Sequence, residues 1–400
     1  MKLINAMQKP DLPGRLLLQP AALVALPNSV EVSDAFSVNG SGVGGGSNSI
    51  KIGLGEYFER RHFYREVLSR KLGFLSESLT QEEVEGFTGA FVQTCSKNIS
   101  ARTFEERKIY LSKVVRSWDF STCFIPTVCI SLSSVGLESD TYLYPLRDTC
   151  GCSFHWRTDV SFLGAIKEYL ERQFLLKFWL TSACRSRLSK TQVLDLLMRR
   201  DARYLYSALV ASGDVSAFDI SDYKFPGACI LVVYGQPREG HNVKYCAGMS
   251  YATDVASALE KSILELWQTY RFMDLFKAID SDEERVEDSY LRYFLSCNSY
   301  ETYQDVIDVQ IDAKGQEKTS NVSFTLAGIL SVLKGENISG YFYSKAAKVN
   351  GLDCVFSKYV SPDLFLHMNS AQNINLINKY SKGFECQMLS TRLKRMVPFP

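Results

Sequence analysis

Three stretches of this chain carry acidic or amide side chains spaced three apart: Glu56 and Glu59, Glu168 and Glu171, then Glu265 and Gln268. On a helix, residues i and i+3 share nearly one face. Arginine follows the second glutamate twice, at Arg60 and Arg172. Glu168 lies in GAIKEYLERQFLLKFWL and Glu265 in ALEKSILELWQTY, both rich in apolar and aromatic residues. Such helices are expected to be largely buried, and acidic groups seldom bury without a partner because desolvation is costly. Five carboxylates exceed what two nearby arginines neutralise, and a divalent cation would resolve the excess. One Glu-x-x-Glu by itself is ordinarily a solvated helix face. Spacing alone does not bring three helices together.

Mg²⁺ takes oxygen ligands, keeps several waters and is commonly shared with phosphates. A carboxylate cluster with arginines and a Gly/Ser stretch therefore suggests a nucleoside triphosphate. No GxxxxGK[ST] occurs, so this is not a P-loop. The glycines at 42–46 also read as a plain flexible loop.

The elements that must carry these residues follow from the pattern. Ser37–Ser49 reads as a loop and Ile50–Leu72 as a helix, capped by Asn48 or Ser49 and stopped by Gly73. Long helices are expected from about Thr158 to Thr181 and from Thr253 to Phe276, both opening on Thr-Asp-Val with threonine as the cap. Thr127–Leu132, Ala228–Tyr234, Val306–Ile311, Gly340–Tyr343 and Leu352–Val360 read as strands. Asp280–Asp288 reads as an exposed connection or a solvated helix face. The terminal Met396–Pro400 (MVPFP) must be extended, since proline lacks a donor.

Composition narrows the field. The chain has 400 residues with 45 Lys+Arg against 44 Asp+Glu, which argues against a protein held to nucleic acid mainly by phosphate contacts. Leu16–Leu26 is too short and too broken by Pro20 for a membrane span, and it fits a signal peptide poorly. The 11 scattered cysteines include no CxxC, and His62, His155, His241 and His367 lie far apart, against a structural zinc site. The thiols read as unpaired in a reducing compartment, and the protein as cytoplasmic. Cys150 and Cys152 beside His155 invite a thiol-nucleophile reading, but catalytic pairs are set by the fold rather than by sequence neighbours. Trp179 and Trp267 read as core, and His62 as packing or solvent before phosphate.

Taken together, these residues resemble the YcaO family from about Ser37 to the end. The carriers are GEYFERRHF at Gly55–Phe63, DTCGCSFH at Asp148–His155 leading into the second ExxER, the ExxQ at Glu265–Gln268, VSPDLFLHMN at Val360–Asn369 and the terminal Pro-Phe-Pro. Within the family the likeness is to cyclodehydratase subunits of microcin B-type synthetases, which make thiazole- and oxazole-modified peptides.

The resemblance implies an α+β, YcaO-like fold, with mixed sheets and long helices around an ATP/Mg²⁺ site. Residues 37–400 would form the catalytic domain, and residues 1–36 have no readable role. It implies an ATP- and Mg²⁺-dependent azoline-forming peptide cyclodehydratase. Cys, Ser or Thr of a ribosomal precursor peptide attacks the preceding carbonyl, the oxyanion takes the γ-phosphoryl group, and phosphate leaves as the ring forms. Glu56, Glu59, Glu168, Glu171 and Glu265 would hold Mg²⁺. Arg172 would contact phosphate, with Ser49, Arg60, Lys261 and Gln268 near the nucleotide. Pro398 and Pro400 would carry the C-terminal carboxylate to the reacting amide. Expected partners are the precursor peptide, a leader-peptide-binding subunit and an FMN-dependent azoline dehydrogenase. The sequence departs from many members at Gln173, where aspartate is common. The first loop also lacks the lysine that often precedes its glycines. The alternatives are a non-catalytic docking or scaffold subunit, or a family enzyme making another backbone change such as a thioamide.

Overall fold

The computed structural model describes residues 15–18, 26–35, 38–69, 71–279, 283–286, 288–312, 322–349, 351–369 and 371–399. In chain order its first elements are β1 (Arg15–Leu18), β2 (Asn28–Ser33), β3 (Asn39–Gly44), α1 (Asn48–Arg61), β4 (Lys71–Gly73), α2 (Gln81–Thr94) and α3 (Ala101–Glu105). Next come β5 (Ile109–Arg116), β6 (Thr122–Pro126), β7 (Cys152–His155), α4 (Thr158–Thr181), β8 (Ala183–Cys184), β9 (Ser186–Leu188), α5 (Lys190–Leu196) and α6 (Ala202–Ser212). Then follow β10 (Asp214–Asp219), β11 (Ala228–Gly235), β12 (Tyr245–Ala252), α7 (Val255–Ala278), α8 (Ser289–Ser296), α9 (Tyr300–Ile307), β13 (Gln310–Ile311), α10 (Leu326–Gly335), β14 (Tyr341–Val349) and β15 (Leu352–Val360). This is an α+β chain, as expected.

The chain divides into two compact units, and it passes from one to the other inside α1, between Phe58 and Glu59. The first unit holds residues 1–58, 182–321 and 398–400. Its sheets are antiparallel β1-β2-β3, antiparallel β12-β11-β10-β9, and a short parallel pair of β13 with β8. α7 lies on β11 and β12 through Leu259, Ile263 and Leu266, all fully buried. The same core takes in Val43 of β3. Trp267, 5% exposed, donates its indole N–H to the Pro27 carbonyl at 3.1 Å.

The second unit holds residues 59–181 and 322–397. Its sheet runs β4-β5-β14-β15-β7, with β6 paired to β5. α4 is buried along most of its length, as suits a helix surrounded by protein. Phe162 stacks on Phe342 at 4.6 Å, Tyr169 meets Tyr359 edge-on at 5.2 Å, and the Ser161 hydroxyl donates to Ser357 at 2.8 Å. Trp179 is buried and donates to the Arg395 carbonyl at 3.1 Å.

Several boundaries differ from the sequence reading. Asn39–Gly44, read as loop, is the strand β3. α1 stops at Arg61, and a π-helical turn, His62–Glu66, leads toward β4 instead of continuing to Leu72. This turn buries His62 and Phe63: the His62 ring stacks on Phe356 at 4.1 Å, with Nδ1 3.0 Å from Glu66 and Nε2 3.1 Å from the Tyr343 hydroxyl. Thr127–Leu132 is not a strand; β6 ends at Pro126, which has no N–H to extend the ladder, and a 3₁₀ turn follows over Thr127–Cys129. Asp254, not Thr253, caps α7, accepting the Ser257 N–H at 2.9 Å. Val306–Ile311 splits between the end of α9 and the two-residue β13, because Ser299 caps a helix there. Part of Asp280–Asp288 and most of Leu16–Leu26 lie outside the described residues.

Candidate active site

In the first unit Glu56 and Glu265 are positioned in the same way. β3 and β12 each end the order of their sheets. Each is followed closely by the helix that covers it, α1 and α7. Oε2 of Glu56 accepts the Ser41 N–H of β3 at 2.6 Å, and Oε2 of Glu265 accepts the Met249 N–H of β12 at 2.8 Å. Glycine makes both approaches possible. A Cβ on Gly40 or Gly42 would overlap the backbone of α1 at Tyr57 or Ser49, and one on Gly248 would overlap α7 at Leu266 and Ser262. These glycines therefore set helix-to-strand spacing. Gly45 and Gly46, by contrast, stand in open space at the turn into α1.

The remaining sites of the first unit are more scattered in character. Ser49 is buried, with its hydroxyl donating to the Gly46 carbonyl at 3.2 Å. Gln268 is half-buried and Lys261 exposed, both on α7. The C-terminal tail is firmly held. Tyr245 donates its hydroxyl to the Pro398 carbonyl at 2.8 Å, and Tyr290 donates to the Phe399 carbonyl at 2.6 Å. Pro398 and Phe399 are buried; Pro400 lies outside the described residues.

In the second unit, α4 supplies Glu168, Glu171 and Arg172. Arg172 donates to Glu168 at 2.8 Å and to the Thr149 hydroxyl at 3.0 Å, and stands 3.6 Å from Asp148. Asp148 is itself fixed: its carboxylate accepts the Cys150 N–H at 2.9 Å and the Met368 N–H at 3.0 Å. Its carbonyl accepts the ammonium of Lys358 at 3.1 Å. Glu171 is 9% exposed. Burial pushes the Glu168 carboxyl up to about 7; Glu171 and Asp148 add to this, and Arg172 opposes it. A quarter of the side chain still meets solvent. Glu59 and Arg60 are half-buried. The charges of Lys358, Glu59, Glu168 and Arg172 all bear on the Cys152 thiol, so Glu59 of the first ExxER and Glu168 and Arg172 of the second lie within electrostatic range of one residue.

The cysteines are not nucleophiles in waiting. Burial raises the thiols of Cys150 and Cys152 well above the usual range, and all eleven cysteines are free. His155 accepts the Arg157 N–H at 3.1 Å on its Nδ1.

Carboxylate oxygens, which both units supply, are the ligand type that suits Mg²⁺. Among the described residues no three His, Cys, Asp or Glu side chains gather as a ready metal cage. Glu56 and Glu265 hold backbone N–H groups and Glu168 holds a guanidinium. That fits a cation that keeps waters and phosphate oxygens in its own shell, so that few protein oxygens need touch it directly.

Sequence reasoning missed Lys358, Tyr245 and Tyr290. Lys358 did leave a signal, as a lysine inside a strand, LDCVFSKYV, whose C-terminal seven residues are all buried.

A family model described as YcaO cyclodehydratase, ATP- and Mg²⁺-binding, matches residues 47–356. The chain belongs to the YcaO family. It is 32% identical over 397 residues to the Microcin B17-processing protein McbD of Escherichia coli, covering 97% of each chain. It superposes with a TM-score of 0.85 on a chain of the E. coli microcin synthetase McbBCD complex with pro-MccB17 bound, at 30% identity and 98% coverage of both. The YcaO protein of Methanopyrus kandleri, solved with AMPPCP and Mg²⁺, shares the fold at a TM-score of 0.52 and 10% identity, over 87% of this chain and 85% of that one. This YcaO chain is thus an ATP- and Mg²⁺-dependent cyclodehydratase, as its motifs imply. No described helix is long and apolar enough to cross a membrane.

Proposed function

We propose that this chain closes thiazoline and oxazoline rings on a ribosomally made precursor peptide, as the catalytic subunit of a multi-subunit synthetase. The reading is carried by one observation: Arg172, Glu168, Asp148 and Lys358 form a connected charged set, with Glu59 bearing on the same Cys152. Glu56, Glu59, Glu168, Glu171 and Glu265 hold Mg²⁺ or its waters. Arg172 takes phosphate oxygens, for which its planar fork is suited. Ser49, Arg60, Lys261 and Gln268 line the nucleotide. ATP supplies the phosphoryl group that turns a poor leaving oxygen into a good one; the protein's own part is positioning and charge stabilisation. The tail carries the Pro400 carboxylate, which orients the substrate amide or takes its proton. Residues 37–400 act as one catalytic region, and residues 1–36 have no assigned part.

The similarity to a subunit of a complex that binds a precursor peptide supports a peptide substrate and partner subunits here too. One partner binds the leader peptide. Another, FMN-dependent, oxidises azoline to azole: the GxGxxG string of this chain, Gly40–Gly45, runs along and just past the antiparallel strand β3 rather than opening a parallel βαβ unit, so it is not a dinucleotide fingerprint. The free thiols suit a reducing compartment, so we place the enzyme in the cytoplasm.

The test is incubation of the chain and its partners with ATP, Mg²⁺ and precursor peptide, read by mass. Loss of one water per ring is expected. Exchange of oxygen for sulfur would make it a thioamide-forming enzyme, and an unchanged peptide would make it a scaffold.

A further inference from the structure

Lys358 is 5% exposed, and a buried ammonium is expensive unless its three donors and its charge are matched. Only one donor is matched among the described residues, by the Asp148 carbonyl at 3.1 Å. No carboxylate makes an ion pair with it there; the ammonium lies 5.9 Å from the centre of the Phe63 ring. The Asp148 carboxylate is occupied with the N–H groups of Cys150 and Met368. Glu168 feels the Lys358 charge from beyond contact and spends its own hydrogen bond on Arg172.

The strand register fixes which way this ammonium faces. Lys358 of β15 is directly opposite Cys152 of β7, and opposite residues in an antiparallel pair share a face of the sheet. Glu59, Glu168 and Arg172 also bear electrostatically on Cys152. Asp148 tethers both cations, with Arg172 on its carboxylate and Lys358 on its carbonyl. Two cations are thus held on one residue, and one of them keeps two donors in hand.

We infer that Lys358 is a further phosphate-binding residue, which grips the polyphosphate of ATP alongside Arg172. This rests on the proposed ATP site. An ammonium is a compact point charge that suits a terminal phosphate oxygen, where the guanidinium takes a planar pair. The carboxylates nearby match its charge without consuming its donors.

The experiment measures binding of ATP, ADP and AMP, each with Mg²⁺, to the full chain with its partner subunits, by calorimetry. Lys358→Gln keeps a donor for the Asp148 carbonyl and removes the charge. It should weaken ATP at least tenfold and AMP no more than threefold. Equal losses for ATP and AMP, or none in a variant that melts like the wild type, would overturn the proposal and leave the ATP site standing. A wild-type chain that binds none of the three overturns both. Should Lys358→Gln not fold, Lys358→Arg decides: a changed ATP-to-AMP affinity ratio supports the grip, and an unchanged ratio overturns it.

Discussion

Glu265 receives the backbone N–H of Met249 on its Oε2 at 2.8 Å. The bond reaches from a helix to an edge strand, and the residue before Met249 is a glycine. Gly248→Ala would drive a methyl group into α7 at Leu266 and Ser262. Overpacking of this kind typically costs about 1–3 kcal/mol. A lower melting temperature and reduced ATP turnover are expected. Gly335→Ala, where a Cβ meets open space, is the matched control and should melt like the wild type. Equal melting of the two variants would refute the spacing role.

Glu168 makes the metal-free chain pH-sensitive. Its folded carboxyl titrates at about 7 rather than near 4.5, so the folded state holds its proton longer than the unfolded chain. Stability from this group is therefore lost as pH rises from 4.5 to 7 and is flat above. Glu168→Gln removes the titration. The melting temperature of that variant relative to wild type, measured in EDTA, should climb across this window, by an amount worth roughly 1–3 kcal/mol. A pH-independent difference would contradict the raised value.

Glu83 and Arg116 form a buried pair that bonds to none of the proposed nucleotide residues. Arg116 donates to both carboxylate oxygens at 2.7 and 2.9 Å, and Tyr341 adds a third bond at 3.1 Å. Burial pushes the Glu83 carboxyl up, but the Arg116 and Thr80 bonds together hold it below its usual value. Its contribution is full above about 4.5 and lost as pH falls through the lower folded value. Glu83→Gln should cost about 3–5 kcal/mol at neutral pH. It should also flatten the acid limb of the unfolding curve, while leaving Mg·ATP affinity of the folded protein as it was.

The tail should be sensitive to both its length and its grip. One residue added after Pro400 should cut ring formation and spare ATP binding. Tyr245→Phe leaves the Pro398 carbonyl without its donor, a loss of about 1 kcal/mol, and Tyr290→Phe does the same at Phe399. The double variant should reproduce the extended protein. Full cyclisation by either would dismiss the tail from catalysis.

Cys150→Ala and Cys152→Ala should each retain ring formation within a few-fold, since burial raises both thiols far above a nucleophile's range. Abolished turnover in a variant that still binds ATP would restore a thiol mechanism.

The long helices were legible because their apolar content is dense: Thr158–Thr181 was bounded to the residue, and β15 likewise. The glutamates were legible because charge in such helices demands a reason. What local pattern misreads is set by tertiary packing. Asn39–Gly44 has a loop's composition but pairs as a strand, because closeness to α1 selects against side chains. His62 looked like a continuation of α1, yet its ring is drawn onto Phe356 and the helix widens into a π turn. Tyr245 and Tyr290 carry no local mark at all; only the folded chain brings the last residues to them.

The paired glycines of β3 set a limit for anyone reshaping this enzyme. Because Gly40 and Gly42 let α1 rest directly on the strand, that stretch tolerates no decoration, whatever nucleotide is bound. Diversity introduced for a new cosubstrate belongs instead at Gly45, where the chain has room to accept a side chain before the helix begins.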